Sequence, residues 1–360
     1  MGGGSSIVLR RTGSAGPGGA DPMSALPIPR RLARPWLLAD VGGTHARFGW
    51  IGGADAGVTE IRTLATADHV NPAAAARAYL ADLAERLGPR DSIPCAAAFA
   101  VATAVSGDAV ALTNSGWSFS VCGLQHDLGL QRLVVLNDFE ALALSLPRLG
   151  ASQLQPVGTP REGAPAAARA VIGPGTGLGV AGLVAGDGGR WIAVPGEGGH
   201  ATLAAGDDYE AALLEAVRRE YTHVSAERLL SGIGLPVLYG AVARVDGAAR
   251  PEPPPTAPAI VAACLDGSDA VAARTVDVFC ALLGGFAGNV ALTLGARGGV
   301  YIGGGIAPRL GERFLTSRFR ARFEAKGRFA AYLEAIPTWL VTDTLAALGG
   351  AACALEQAAD

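Results

Sequence analysis

The sequence predicts an α/β protein whose strands end in ligand-facing turns, and three observations carry that expectation. First, short apolar strands (Trp36-Leu37-Leu38-Ala39, Arg132 to Leu136, Ala170-Val171-Ile172 and Val300-Tyr301-Ile302) are separated by alanine-rich helical runs. Second, glycine turns follow three of these strands, at Gly42-Gly43, at Gly173 to Gly179 and at Gly303-Gly304-Gly305. Third, the strand ending at Leu136 enters Asn137-Asp138 and then a helical run from Phe139 to Leu146 that stops at Pro147. In α/β proteins ligands gather at the carboxyl ends of strands. Asp138 therefore stands where a general base would be useful, although the same position also suits an Asp that caps the helix.

Bulk properties narrow the field. A length of 360 residues suggests about two domains, and 50% hydrophobic residues provide a large core. A net charge of -3 gives no electrostatic attraction for nucleic acid or an anionic membrane, so neither is expected as a partner. The five cysteines, Cys95, Cys122, Cys264, Cys280 and Cys353, are isolated and read as small apolar core residues in a reducing cytoplasm. Lys326 is the only lysine and lies in no P-loop context, which excludes that nucleotide site. A Schiff-base enzyme would have to use that one residue.

Residues 1–35 are rich in Gly, Ser, Pro and Arg without periodicity, and no apolar segment follows their arginine pairs. They are expected to be a disordered tail, or an upstream extension of a chain that begins near Met23. Val278 to Ala296 has no formal charge and the length of a membrane span. Its glycines and Asn289, and the strand that follows, favour a buried core helix interrupted at those glycines.

Along the folded part, Ala39 leads through Asp40-Val41-Gly42-Gly43-Thr44-His45 into a second strand, Ala46 to Ile51. Adjacent glycines leave backbone N–H groups open to an anion; Asp40 and Thr44 could serve a hydrated magnesium ion and a phosphate oxygen, and an ordinary hairpin is the other reading. Asn71-Pro72 opens a helix to Leu87. Strands are expected in Ile93 to Val105 and at Val110-Ala111-Leu112, the latter ending in a polar loop with Asn114. Residues 151–168 read as a surface connection. Gly177-Leu178-Gly179-Val180-Ala181-Gly182 matches G-x-G-x-x-G, but a strand rather than a helix follows, so a dinucleotide site is rejected. Pro195-Gly196-Glu197-Gly198-Gly199-His200 projects two polar side chains from a glycine loop. His223 and Glu227 are four apart but lack further ligands for a metal.

Taken together these segments resemble a known family. The glycine turns resemble the phosphate-1, phosphate-2 and adenosine motifs of the hexokinase and actin-like ATPase superfamily. The ordered set Asp40 to Thr44, Leu136 to Phe139, Gly173 to Gly179, Pro195 to His200, Ala226-Glu227-Arg228-Leu229-Leu230-Ser231-Gly232 and Gly303 to Pro308 resembles the bacterial glucokinase family. No cysteine-rich zinc motif follows His200, which favours the branch without structural zinc.

The resemblance implies a two-domain actin-like ATPase (ribonuclease H-like) fold with an interdomain cleft. Its small domain would comprise residues 36–148 plus 340–360 and its large domain residues 149–339. It implies an ATP-dependent glucokinase with Asp138 as catalytic base. Asn114, Asn137, Glu197, His200 and Glu227 would hold the sugar. Asp40, Val41, Gly42, Gly43, Thr44, Gly175, Thr176, Gly177 and Gly304 would bind ATP, with Asp40 serving Mg²⁺ through water. A cytoplasmic homodimer is expected. A kinase for another hexose and a silent sugar sensor are the alternatives.

Overall fold

The computed structural model describes residues 32–54, 56–112, 115–249 and 251–358. Most of the expected tail, and Asn114 among the candidate sugar ligands, lie outside the described residues.

Strands β1 (Trp36–Val41), β2 (His45–Ile51) and β3 (Thr59–Ala65) form an antiparallel meander. Helix α1 (Pro72–Leu87) follows; the side chain of Asn71 accepts from the Ala74 N–H at 2.8 Å and Pro72 stands where no N–H partner is needed. Strand β4 (Ala96–Val101) is followed by a small ribbon, β5 (Ala109–Ala111) with β6 (Ser118–Ser120), and by α2 (Val121–Asp127). Strand β7 (Arg132–Asn137) then leads directly into α3 (Asp138–Ser145). The first sheet has the order β3-β2-β1-β4-β7, with β4 parallel to both β1 and β7.

The second sheet repeats that plan. After β8 (Leu154–Pro156) come β9 (Arg169–Pro174), β10 (Leu178–Ala185) and β11 (Trp191–Gly196) as an antiparallel meander. Helices α4 (Asp208–Arg218), α5 (Ala226–Leu229), α6 (Leu235–Val245), α7 (Ala257–Leu265) and α8 (Ala270–Leu294) lead to β12 (Val300–Ile302). Four short helices, α9 (Ile306–Leu310), α10 (Glu312–Leu315), α11 (Phe319–Glu324) and α12 (Ala330–Glu334), precede β13 (Thr338–Val341) and α13 (Ala346–Ala358). The sheet order is β11-β10-β9-β12-β13-β8, with β12 parallel to β9 and β13. Three antiparallel strands followed by two parallel ones, twice over, is the ribonuclease H-like plan that the resemblance implies.

Alternation along the strands sorts the cores. In β1, Leu37, Ala39 and Val41 face α1, whereas Trp36 and Leu38 face Leu348, Ala351 and Leu355 of α13. In β9, Ala170 and Ile172 join the core around α8, and Val171 joins a core containing Ala141 and Leu144 of α3. Helix α3 thus rests on β9, β10 and β11 although its own strand belongs to the first sheet.

Some expectations change. Helix α8 is continuous through its glycines. A Cβ at Gly284 would stand 2.1 Å from the carbonyl oxygen of Phe319, and one at Gly288 2.6 Å from that of Phe323, so these glycines admit the backbone of α11 rather than break the helix. Among the described residues α8 alone is long and apolar enough to cross a membrane, but 78% of its most apolar window is buried, as a core helix requires. Cys264, Cys280 and Cys353 are buried as expected; Cys95 is half-buried, and Cys122, on the short surface helix α2, is exposed. The stretch read as a plain connection contributes β8, an antiparallel edge on β13.

Candidate active site

Asn137 and Asp138 divide the work at the end of β7. The cap of α3 is Asn137, whose Oδ1 accepts from the N–H groups of Phe139 at 2.9 Å and Glu140 at 3.3 Å. Its Nδ2 donates to the carbonyl of Thr103 at 3.2 Å. Asp138 is the first residue of the helix rather than its cap, and accepts from the Phe139 N–H at 2.9 Å. The carboxylate is half-buried. Burial first, and the charge of Asp40 second, push its pKa up to about 7. A group with that pKa changes protonation in the working range of a general base.

Asp40 lies near the end of β1, opposite Arg47 of β2 in the strand register. Burial raises its pKa, and Arg47, whose Nη1 is 3.7 Å from Oδ2, opposes the rise. The same Nη1 donates to the carbonyl of Thr344 at 2.5 Å, which ties β2 to the chain after β13. The turn that follows is closed by the Gly42 N–H on the His45 carbonyl at 2.9 Å. Thr66 holds it from outside, its hydroxyl donating to the Gly43 carbonyl at 2.8 Å and its N–H to the Thr44 carbonyl at 3.0 Å. Val41 is buried, and its carbonyl accepts from the Ala102 N–H at 3.0 Å.

The turn between β9 and β10 is the centre of the site. Gly175 N–H closes it on the Gly177 carbonyl at 2.9 Å, and Gly232 N–H donates to the Gly175 carbonyl at 2.8 Å. Glu227 Oε2 accepts from the Leu178 N–H at 2.8 Å, in space that a Cβ at Gly177 would fill. Gly304, at φ +73°, brings the loop after β12 so close that a Cβ there would lie 2.5 Å from the Pro174 carbonyl oxygen. On the remaining side a Cβ at Gly199 would lie 2.0 Å from the carbonyl oxygen of Leu178. Thr176 is carried at the tip of this turn.

The polar cluster of the sugar-ligand candidates forms on one flank. His200 Nε2 is 3.8 Å from Glu227 Oε1 and 3.9 Å from Glu197 Oε2. The side chains of Glu197 and His200 are 64% and 61% exposed, whereas that of Glu227 is 22% exposed, so only Glu227 is held by the protein in this open arrangement. His223 does not share a helix face with Glu227; it lies before α5 and its Nε2 is 3.0 Å from the Thr202 hydroxyl. No metal cluster of three or more His, Cys, Asp or Glu occurs among the described residues. Lys326 donates to the Gly285 carbonyl and to Asn289 Oδ1, both at 2.7 Å, and works as a staple on α8.

Sequence reasoning missed Thr66 and Phe139. Thr66 carries no local signal, because its partner is the turn 23 residues earlier. Phe139 was visible only as the first apolar residue of a helix. The signal for it lies in Gly173 and Gly179, where added Cβ atoms would stand 2.3 Å and 1.9 Å from its ring.

A family model described as glucokinase matches residues 37–358. The chain is 48% identical over 318 residues to a glucokinase of Paramagnetospirillum magneticum, covering 88% of this chain and 96% of that one. It is 49% identical over 331 residues to a glucokinase of Aromatoleum aromaticum, covering 90% and 95%. A crystal structure of a glucokinase from an Antarctic psychrotroph matches with a TM-score of 0.80 at 38% identity, over 90% of this chain and 99% of that one. With the duplicated sheet plan, the strand-end carboxylate and a family match that spans both sheets, the chain belongs to the glucokinase family.

Proposed function

We propose that the chain transfers the γ-phosphoryl group of ATP to the 6-hydroxyl of glucose, with Asp138 accepting the hydroxyl proton. The observation that supports this reading is that the β9–β10 turn has on one side the ring of Phe139, the residue next to Asp138, and on the other Glu227, which is bonded to Leu178 and lies beside His200. Glu227, His200 and Glu197 accept from and donate to the sugar hydroxyls, and Asn137 orients Asp138 while keeping one N–H for the sugar. Once the bound sugar covers them, such partners reject a sugar whose hydroxyl is misplaced, since the partner is then left unsatisfied.

Phosphoryl transfer needs alignment and charge neutralisation more than covalent help. The backbone N–H groups of Gly43 and Gly177 and the hydroxyls of Thr44 and Thr176 would line the triphosphate, on turns that the Gly42 and Gly175 N–H groups close from within, and Gly304 leaves a flat backbone beside the adenosine. Asp40 fits a hydrated magnesium ion: it is a largely desolvated carboxylate whose charge is balanced by Arg47 alone and already disturbs Asp138. Such an ion, when bound, supplies positive charge to the phosphates.

The chain would act as two lobes, residues 36–148 with 340–360 and residues 149–339, that close on the substrates and exclude water. The clusters peculiar to each sheet, and the packing of α13 on β1 and β4, support two lobes; a further cluster around α3 joins the sheets, and β13 pairs within the second sheet, so the return to the first lobe falls after Val341 rather than at residue 340. The absence of any disulfide among the cysteines is compatible with a cytoplasmic enzyme.

The test is an ADP-release assay on glucose, mannose, fructose and N-acetylglucosamine with the wild type and Asp138→Asn. Glucose should give the highest kcat/KM, and the variant should lose about 10²–10⁴-fold in kcat. Turnover that survives the substitution would remove Asp138 as the base.

A further inference from the structure

The ring of Phe139 lies in a slot made by two missing side chains. Gly173 and Gly179 are cross-strand partners in the β9–β10 register, one on each side of the turn that carries Gly175, Thr176 and Gly177. A Cβ at Gly173 would stand 2.3 Å from Cζ of the ring, and one at Gly179 1.9 Å from Cδ2, so neither position admits any side chain while the ring is there. The residue before the ring is Asp138, on an element of the other sheet. Helix α3 is itself fixed from behind: a Cβ at Gly350 of α13 would stand 1.6 Å from the Ala141 carbonyl oxygen, and one at Gly303 2.8 Å from the Leu142 side chain. The ring is therefore a rigid wedge between the two halves of the reaction centre, adjoining the carboxylate on one side and the phosphate turn on the other.

We infer that Phe139 is a positioning residue that fixes the distance between Asp138 and the β9–β10 turn. This rests on the proposed roles of Asp138 as base and of that turn as a phosphate site. An aromatic ring suits the task because it has few rotamers and cannot shorten. Filling the slot with a flexible side chain would keep α3 off the face of β9 and β10 but leave Asp138 free to drift by a fraction of an ångström to an ångström. A misplacement of about 1 Å can cost on the order of 100-fold in rate. Sugar binding would change little, because Glu227 is anchored to Leu178 independently of the ring.

The experiment measures kcat and KM for glucose and ATP in Phe139→Leu, Gly179→Ala and the double variant, with Asp138→Asn alongside. Phe139→Leu should lower kcat at saturating substrates about 10- to 100-fold and keep KM for glucose within about threefold. Gly179→Ala displaces the ring without altering Phe139 itself and should do the same. In the double variant the added methyl occupies space vacated by the shorter side chain, so the combined loss should be much smaller than the product of the two single losses. Should Phe139→Leu fail to fold, Phe139→Met is read by the same criteria. A folded Phe139 variant with wild-type kcat, a loss confined to KM for glucose, or losses that multiply in the double variant would each overturn the inference. If Asp138→Asn retains turnover, the base assignment fails; if it is inactive while Phe139→Leu is fully active, only the coupling fails.

Discussion

As the proposed base, Asp138 should have opposite effects on activity and stability as pH changes. A base accepts a proton only when ionised, so the rate should climb through an apparent pKa near 7, where burial and the Asp40 charge hold the group, and level off above it. For stability the folded pKa lies above the ordinary value of 3.8, so between these pH values the folded state binds more protons than the unfolded one. The contribution of this group to stability is intact below the lower value and is lost as pH rises through the upper one. Asp138→Asn removes that loss, and calorimetry should find its Tm above wild type at about pH 8 but not at about pH 4. Equal differences at both pH values would mean that the carboxylate is not desolvated. Glu227 makes a second prediction. Its removal in Glu227→Ala leaves the Leu178 N–H unpaired, at a cost of about 1–3 kcal/mol. Because the group lies beside His200 and is bonded to the β9–β10 turn at once, the proposed roles predict that KM rises for both glucose and ATP; a rise for glucose alone would separate the two functions.

The elements show why loops this rich in glycine are nevertheless well defined. Three glycine loops at the site are fixed by another element occupying the space of an absent Cβ: Glu227 at Gly177, Leu178 at Gly199 and Pro174 at Gly304. Away from the site, α4 is held by a buried network. Asp207 caps it by accepting from the Glu210 N–H at 2.9 Å, and Arg322 of α11 donates to Asp207 at 3.0 Å and to the 3% exposed Glu210 at 2.7 Å. Arg322→Met leaves the Glu210 carboxylate buried without its cation and should cost about 3–5 kcal/mol in urea unfolding, with kcat of the folded enzyme unchanged. A loss below about 1 kcal/mol would class the pair with exposed ones.

At the scale of the whole molecule, two sheets of one design present their turns at the carboxyl ends of their parallel strands, and α3 packs against both. Exposed Glu197 and His200 imply that glucose covers surface that is open in its absence. Glucose at about 100 times its Kd should stabilise the fold by about 2.7 kcal/mol, read as a rise in Tm, with slower hydrogen exchange at residues 197–200. A Tm insensitive to glucose would contradict the sugar site.

The fold was legible where information is local. The strands at Trp36, Arg132, Ala170 and Val300, the helix after Asn71 and the strand after Gly177 all declare themselves by apolar runs, caps and turn residues within a few positions. Edge strands such as β3, whose residues are largely exposed, give a weaker pattern, and the α8 glycines read as breaks because the α11 backbone that fills their space lies 35 residues away in sequence.

By itself, then, the sequence determined the kind of protein and the strand-end positions of the candidate groups, since strand-to-turn motifs place a residue type at a strand end without reference to the rest of the chain. Only the tertiary structure decided how those groups are held. It made Asn137 the cap and left Asp138 free, joined Glu227 to Leu178 across 49 residues, and set the Phe139 ring between Gly173 and Gly179. The physical reason is that a glycine in a sequence marks a missing side chain, and only the packed chain specifies what fills its place.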